Sequence, residues 1–167
     1  IPSTDWNDFN SHLARVASGT DGIPSRTGGA HAVIDSTIAL PASPDDFTGA
    51  FSRLGGYRAT VGSFGTGFRA SVDVYMDLND PDVLAATDLV GYGWDLSTAV
   101  NDQADNHRRD FIFHTAAYDQ GTTPGIVVAG SNNSGFTRRN DLLSVNHYVI
   151  AASGWYTYEW VFRDDGS

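Results

Sequence analysis

The sequence predicts an all-β protein, an antiparallel two-sheet jelly-roll sandwich with a short N-terminal helical segment, and three observations carry that expectation. Runs of alternating apolar and polar residues recur from about residue 32 to the end. Clusters of Gly, Pro, Asn and Asp punctuate them at short intervals, as turns require. No helical pattern alternates with the runs, which disfavours a parallel α/β sheet.

The helical segment is read from "DWNDFNSHLARVASG", where Trp6, Phe9, Leu13 and Val16 recur at spacings of three and four, Asp5 stands as N-cap, and Gly19 and Gly22 end the pattern. The turn-rich "DGIPSRTGGAH" then leads into a first strand around 32–40. "FTGAFSRLG" and "YRATVG" follow. "FRASVDVYMDL" alternates best, with Phe68, Ala70, Val72, Val74 and Met76 on one face and Arg69, Ser71, Asp73, Tyr75 and Asp77 on the other. Only "DPDVLAATDLV" offers a second helical turn. "LVGYGWDLS", "RDFIFHTAAY", "GIVVAGSNN", "HYVIAAS" and "WYTYEWVF" complete the strands. In the last, Tyr156, Tyr158, Trp160 and Phe162 make a core face, and Trp155, Thr157, Glu159, Val161 and Arg163 lie on the opposite one. No repeat, linker or low-complexity segment interrupts the 167 residues, so a single domain over 1–167 is expected.

A chain of this length buries about two thirds of the surface its unfolded form exposes, so it has the means to build a core without disulfides. Cysteine is absent, which excludes thiol catalysis, cysteine-ligated zinc and disulfide scaffolding. The formal net charge is −10, with nineteen aspartates and a single glutamate, Glu159. Such acidity argues against nucleic-acid partners and anionic membrane surfaces, both of which need clustered positive charge. All ten basic residues are arginine, the mark of a GC-rich coding sequence and hence of a high-GC bacterial source. No apolar run approaches the roughly 20 residues needed to cross a bilayer, so membrane insertion is not expected. Beginning on Ile1, the chain reads as a processed or excised piece.

Few motifs carry chemistry. His107 and His114 are seven residues apart in one strand-like run, and an odd separation places them on opposite faces unless a bulge intervenes. No HxH or HxxxH occurs. Calcium is the metal that suits this composition, because hard cations take oxygen ligands and "DLNDPD" and "RDDG" present carboxylates from turns; otherwise no cofactor is expected. No GxSxG elbow, P-loop or dinucleotide-binding pattern is present, and a Ser/His/Asp triad drawn from distant segments is not legible in one sequence. Paired carboxylates are the most serious catalytic candidate. Asp73 and Asp77 share a strand face but lie about 13 Å apart at roughly 3.3 Å per residue, too far for either glycosidase geometry. Glu159 approaches Asp73 only if their strands are neighbours.

Taken in order, "SRTGGAHAVI", "FRASVDVYMDL", "RRDFIFHTAAY", "SNNSG" and "GWYTYEWVFRDDGS" resemble the concanavalin A-like lectin/glucanase (laminin G-like) sandwiches of secreted bacterial modular proteins, over roughly residues 20–167. The resemblance implies two stacked antiparallel sheets, a concave face that holds glycans, and a secreted, extracellular location. Glucanases of that fold carry an ExDxxE-like acidic triplet on one concave strand. Here "SVDVYMD" places Ser71 first, followed by Asp73 and Asp77 at altered spacing. Lyases of the same fold use Arg, Gln or Asn, His and Tyr, for which Arg109, Gln120, His114 and Tyr75 are available.

The expected function is therefore a non-catalytic carbohydrate-binding or surface-attachment module, with a polysaccharide-active hydrolase or lyase as the alternative. Asp73, Tyr75, His114, Trp155 and Glu159 are the ligand-binding candidates, with a glycan or polysaccharide as partner. Domains of the type it resembles continue past this C-terminus, and "RDDGS" reads as a hairpin turn with no returning strand. The chain is accordingly expected to lack C-terminal strands, supplied by a second polypeptide segment, by self-assembly or by a longer parent chain.

Overall fold

A computed structural model describes residues 7–9, 13–34, 49–51, 68–87, 89, 93–101, 107–119, 124–131 and 141–163. The chain divides into two compact units, Ile1–Ala59 and Thr60–Ser167. Among the described residues both are built from antiparallel strands, and helix is confined to short turns.

In the first unit, β1 (Asn7–Phe9) pairs with β4 (Gly49–Phe51), and β2 (Leu13–Ala17) pairs with β3 (Ala30–Ile34). The expected N-terminal helix is therefore overturned: Phe9 lies in one strand, and Leu13 and Val16 in another. Its proposed cap, Asp5, lies outside the described residues. The reason is physical, because a helix this short is marginal alone, Asn, Ser and His are weak helix formers, and Val16 is β-branched. As strand, Leu13–Ala17 gains a ladder with β3, from Leu13↔Ile34 to Ala17↔Ala30. Gly19 and Gly22, expected to stop a helix, instead turn the chain between these strands, at φ 92° and 78°. Ser18 ties the connection by accepting from the Ser25 N–H, while the Ser18 N–H reaches the Gly29 carbonyl.

The second unit contains a two-stranded ribbon and a four-stranded sheet. β5 (Phe68–Met76) and β10 (Gly154–Phe162) form the ribbon, in register from Gly154↔Met76 to Phe162↔Phe68. β6 (Gly93–Asn101), β7 (His107–Asp119), β8 (Pro124–Ser131) and β9 (His147–Ile150) form the sheet as an antiparallel meander. Between β5 and β6 lies the single helical turn expected there, α1 (Pro81–Ala85), with Pro81 at its start and the Asp80 carboxylate accepting from the Asp82 N–H at 2.8 Å.

One face of the ribbon packs on one face of the sheet. Val72, Val74, Met76, Tyr156, Tyr158 and Trp160 meet Trp94, Leu96, Phe113, Ala117, Ile126, Val128 and Ile150, with Val83 and Ala86 from α1 and the chain after it. Burial along β10 alternates as the period of two requires, and Tyr158 is its most buried residue. Phe111 meets Phe162 edge-on at 4.8 Å, and Phe113 meets Trp160 at 5.0 Å and Tyr158 at 5.3 Å. Two polar contacts lock this seam: Trp160 Nε1–H donates to the Phe111 carbonyl at 3.0 Å, and the Thr115 and Tyr158 hydroxyls bond at 3.1 Å. Trp and Tyr serve well here because each buries a ring and still satisfies its polar end.

The other face of the sheet carries a second cluster, Ala116, Tyr118, Val127 and Ala129, covered by Leu142, Val145 and Leu89. With both faces occupied, β7 and β8 are the most enclosed strands, and Ile126 is fully buried on β8. Replacing Ile126 by alanine is expected to cost about 2–5 kcal/mol in denaturant unfolding, through lost burial and the cavity left behind.

Tyr158 gives a second expectation. Burial pushes its phenol up from 10.0 to about 12, against a smaller opposing effect of the Thr115 hydrogen bond. Below the unfolded value both states hold the proton, so the full stability is present there. Above it the unfolded chain ionises first, and stability falls through pH 10 to about 12. The loss attributable to this residue is on the order of 2–3 kcal/mol. Ultraviolet titration of wild type and Tyr158→Phe should show one late-ionising phenol missing from the variant, with a shallower loss of stability across that window.

Candidate functional site

Pairing β5 with β10 decides what the outward face of the ribbon presents. Cross-strand partners share a face, so Tyr75 stands opposite Trp155, Asp73 opposite Thr157, and Ser71 opposite Glu159. Four of the five binding candidates, Asp73, Tyr75, Trp155 and Glu159, are thereby gathered into one surface. The Tyr75 and Trp155 rings meet edge-on with centroids 5.5 Å apart, both half-buried. Next to them the Thr157 hydroxyl donates to Asp73 Oδ1 at 2.6 Å, which fixes the carboxylate against the ribbon. One step further, Arg69 Nε lies 3.3 Å from Glu159 Oε2. The surface thus runs from an aromatic end through a hydrogen-bonded carboxylate to an exposed ion pair.

Glu159 and Asp73 do lie on neighbouring strands, at diagonal positions. Glu159 reaches diagonally along the ribbon to Arg69, and Asp73 accepts from Thr157 directly across it. Glu159 remains 39% exposed, so it is a surface carboxylate held by an arginine and not an acid in an apolar pocket.

The acidic turn after β5 uses its oxygens on itself. Asp77 Oδ1 accepts from the Asn79 N–H at 2.9 Å and from the Ser153 hydroxyl at 3.3 Å, while Asp80 caps α1. Ser153 also accepts from the Leu78 N–H at 2.9 Å, which ties this turn to the entry of β10. Most of "RDDG" lies outside the described residues, as do His12, Gln120 and "NNSG" after Ser131. Among the described residues, no three His, Asp or Glu side chains converge in a way that suits a metal ion.

His114, the fifth candidate, belongs elsewhere. On β7 it alternates with Phe113 and Thr115, which face the ribbon, and so it points from the far side of the sheet together with Ile112 and Ala116. The whole aromatic seam separates it from Tyr75 and Trp155. The parity argument for His107 does not carry across the strand, because the β6–β7 register shifts at Val100/Asn101, where Asn101 pairs with His107 and Val100 with Arg109. Their separation along β7, roughly 20 Å, is what keeps the two histidines from sharing an ion.

His114 is 2% exposed and fully partnered. Nδ1 lies 3.0 Å from Asp95 Oδ1, and Nε2 lies 2.8 Å from Ser131 Oγ. Asp95 is its direct cross-strand partner on β6, and Ser131 sits on β8 opposite Ile112, one pair along. Three consecutive strands of the meander therefore supply one polar chain. Asp95 and Ser131 were not among the residues singled out from the sequence. The usable signal was a polar residue interrupting each strand's outward positions; which of them meet depends on register.

The ribbon surface therefore combines two aromatic rings, a fixed carboxylate and a guanidinium on one outward face. Since Glu159 is held at the surface by Arg69, Glu159→Gln should alter stability by no more than ~1 kcal/mol in denaturant unfolding. Protein-family models, curated proteins and solved structures were all compared with the chain, and none of them matches it.

Proposed function

We propose that the protein is a secreted carbohydrate-binding or surface-attachment module of two-sheet jelly-roll type, and that the outward face of the β5/β10 ribbon receives a glycan or polysaccharide without catalysing its cleavage. The observation that carries the reading is the juxtaposition of the Tyr75/Trp155 ring pair with the Asp73–Thr157 hydrogen bond and the Arg69–Glu159 ion pair on one exposed surface. Pyranose rings present C–H groups on their faces and hydroxyls at their rims, so a ligand lying along the ribbon meets aromatic surface first and polar groups beyond it. Rigid strands hold these groups, and little ordering is needed on binding.

The alternative, a polysaccharide-active hydrolase, draws support from one feature. Diagonal cross-strand positions put Asp73 and Glu159 about 7–8 Å apart. Inverting glycosidases hold their carboxyl groups at a comparable separation, about 6.5–9.5 Å. The engagement of both carboxylates with Thr157 and Arg69 weighs against it.

A glycan array paired with reducing-sugar and unsaturated-product assays separates the readings. Binding without product release is expected, with Trp155→Ala weakening it roughly tenfold or more while the fold is retained. Product release that disappears in Asp73→Asn or Glu159→Gln would establish the hydrolase. An array that binds nothing would remove the ligand assigned to the ribbon.

A further inference from the structure

The chain Asp95–His114–Ser131 lies on the far face of the sheet from the ribbon and takes no part in the proposed glycan surface. Its connectivity is directional. A carboxylate only accepts, so Asp95 Oδ1 at 3.0 Å calls for the proton on Nδ1. In the neutral imidazole Nε2 is then the lone-pair atom, and the Ser131 O–H at 2.8 Å donates to it. That is an acid that orients an imidazole, an imidazole that acts as base, and a hydroxyl poised as nucleophile, in the order acyl transfer requires.

The surroundings fit that task. His114 is almost wholly enclosed, which holds the ring in one orientation. Ser131 is partly exposed, at the end of β8, and the pairing of β8 with β9 stops at Ala129↔His147, short of it. The partial exposure of Ser131, beyond the last β8–β9 pair, is what leaves Oγ within reach of an incoming carbonyl. All three groups stand on strands, not on loops, which keeps the two bonds aligned.

We propose that Ser131, His114 and Asp95 form an acyl-transfer site acting on carboxylic esters. Ser131 Oγ attacks the ester carbonyl carbon as its proton passes to His114 Nε2, forming the Oγ–acyl bond. The C–O bond to the alcohol then breaks, and the alcohol leaves with the proton from Nε2. Water adds to the acyl-serine with Nε2 as base, the acid departs, and the Ser131 hydroxyl is restored. No oxidant, metal or further reactant is needed. Ser131 is the catalytic nucleophile and His114 the proton carrier, while Asp95 is a positioning residue that works through the imidazole.

The chain has neither cysteine nor lysine to react with acyl or phosphonyl groups, and the background from its other histidines is read from folded Ser131→Ala. The probes are p-nitrophenyl acetate, read by phenolate release, and a fluorophosphonate, read by intact mass and peptide mapping. A one-to-one adduct on Ser131 is expected in the native protein and absent after urea unfolding. Ser131→Ala should abolish the adduct and lower ester hydrolysis at least ~100-fold with the circular dichroism spectrum unchanged. Asp95→Asn should lower the rate by a similar or larger factor and change its pH profile, which a merely structural hydrogen bond would not do. Native protein that leaves Ser131 unlabelled, or that hydrolyses the ester no faster than folded Ser131→Ala, overturns the proposal. Since the labelling comparison uses wild type alone, it decides the matter even where His114→Gln does not fold.

Discussion

Phe111, Phe113 and Thr115 on β7 meet Phe162, Trp160 and Tyr158 on β10, and the rest of the larger unit is arranged by that seam. Each partner is two residues from the next, so successive contacts come from the same face of each strand. The aromatic edges supply area, and the Trp160 and Tyr158 polar ends find the Phe111 carbonyl and the Thr115 hydroxyl. A seam of aliphatic side chains would bury comparable area with less definition. These rings have preferred edge-to-face geometries and directional hydrogen bonds, so a slip of one residue along either strand would forfeit several interactions together.

Once that face is fixed, strand parity assigns every other side chain. On the ribbon the residues between the core positions must face outward, and those are Arg69, Ser71, Asp73, Tyr75, Trp155, Thr157, Glu159 and Val161. On β7 the residues between Phe111, Phe113 and Thr115 must emerge on the far side of the sheet, and His114 is one of them. One packing decision thus creates two outward faces of different character. The ribbon face is broad and open, with carboxylates tied to neighbours at its surface. The far sheet face is largely covered by Leu142, Val145 and Leu89, and at one end encloses an imidazole between two hydrogen bonds.

That difference matters for electrostatics. The protein is strongly acidic, yet the exposed acids on the ribbon have dedicated partners: Asp73 the Thr157 hydroxyl, and Glu159 the Arg69 guanidinium. Surface pairs of this kind add little stability, since water screens them and long side chains lose entropy in meeting. Their effect is to fix where donors and acceptors point. Around His114 the balance differs, because an enclosed imidazole without partners would cost far more than its bonds return in net stability. Asp95 and Ser131 therefore do structural service whatever chemistry they perform.

Much of this was written in the sequence, because strand alternation is a local property. The apolar and polar faces of 68–76 and 154–162, the helical turn in "DPDVLAATDLV", and the outward placement of Asp73, Tyr75, Trp155 and Glu159 all follow from local pattern, above all a period of two. The same locality misled at the N-terminus, where a helical spacing of apolar residues was outweighed by a ladder to residues 30–34, a partner that no local pattern reveals. Tertiary structure alone decided which strands are neighbours. Pairing β5 with β10 joined four candidates into one surface, and placing β6, β7 and β8 side by side brought Asp95 and Ser131 to His114 while keeping that histidine away from the other four. Register is the physical reason. A strand's own residues dictate which face each side chain takes, but its neighbours and their offset are set by the packing of the whole unit, and a shift of one residue would have assembled different groups.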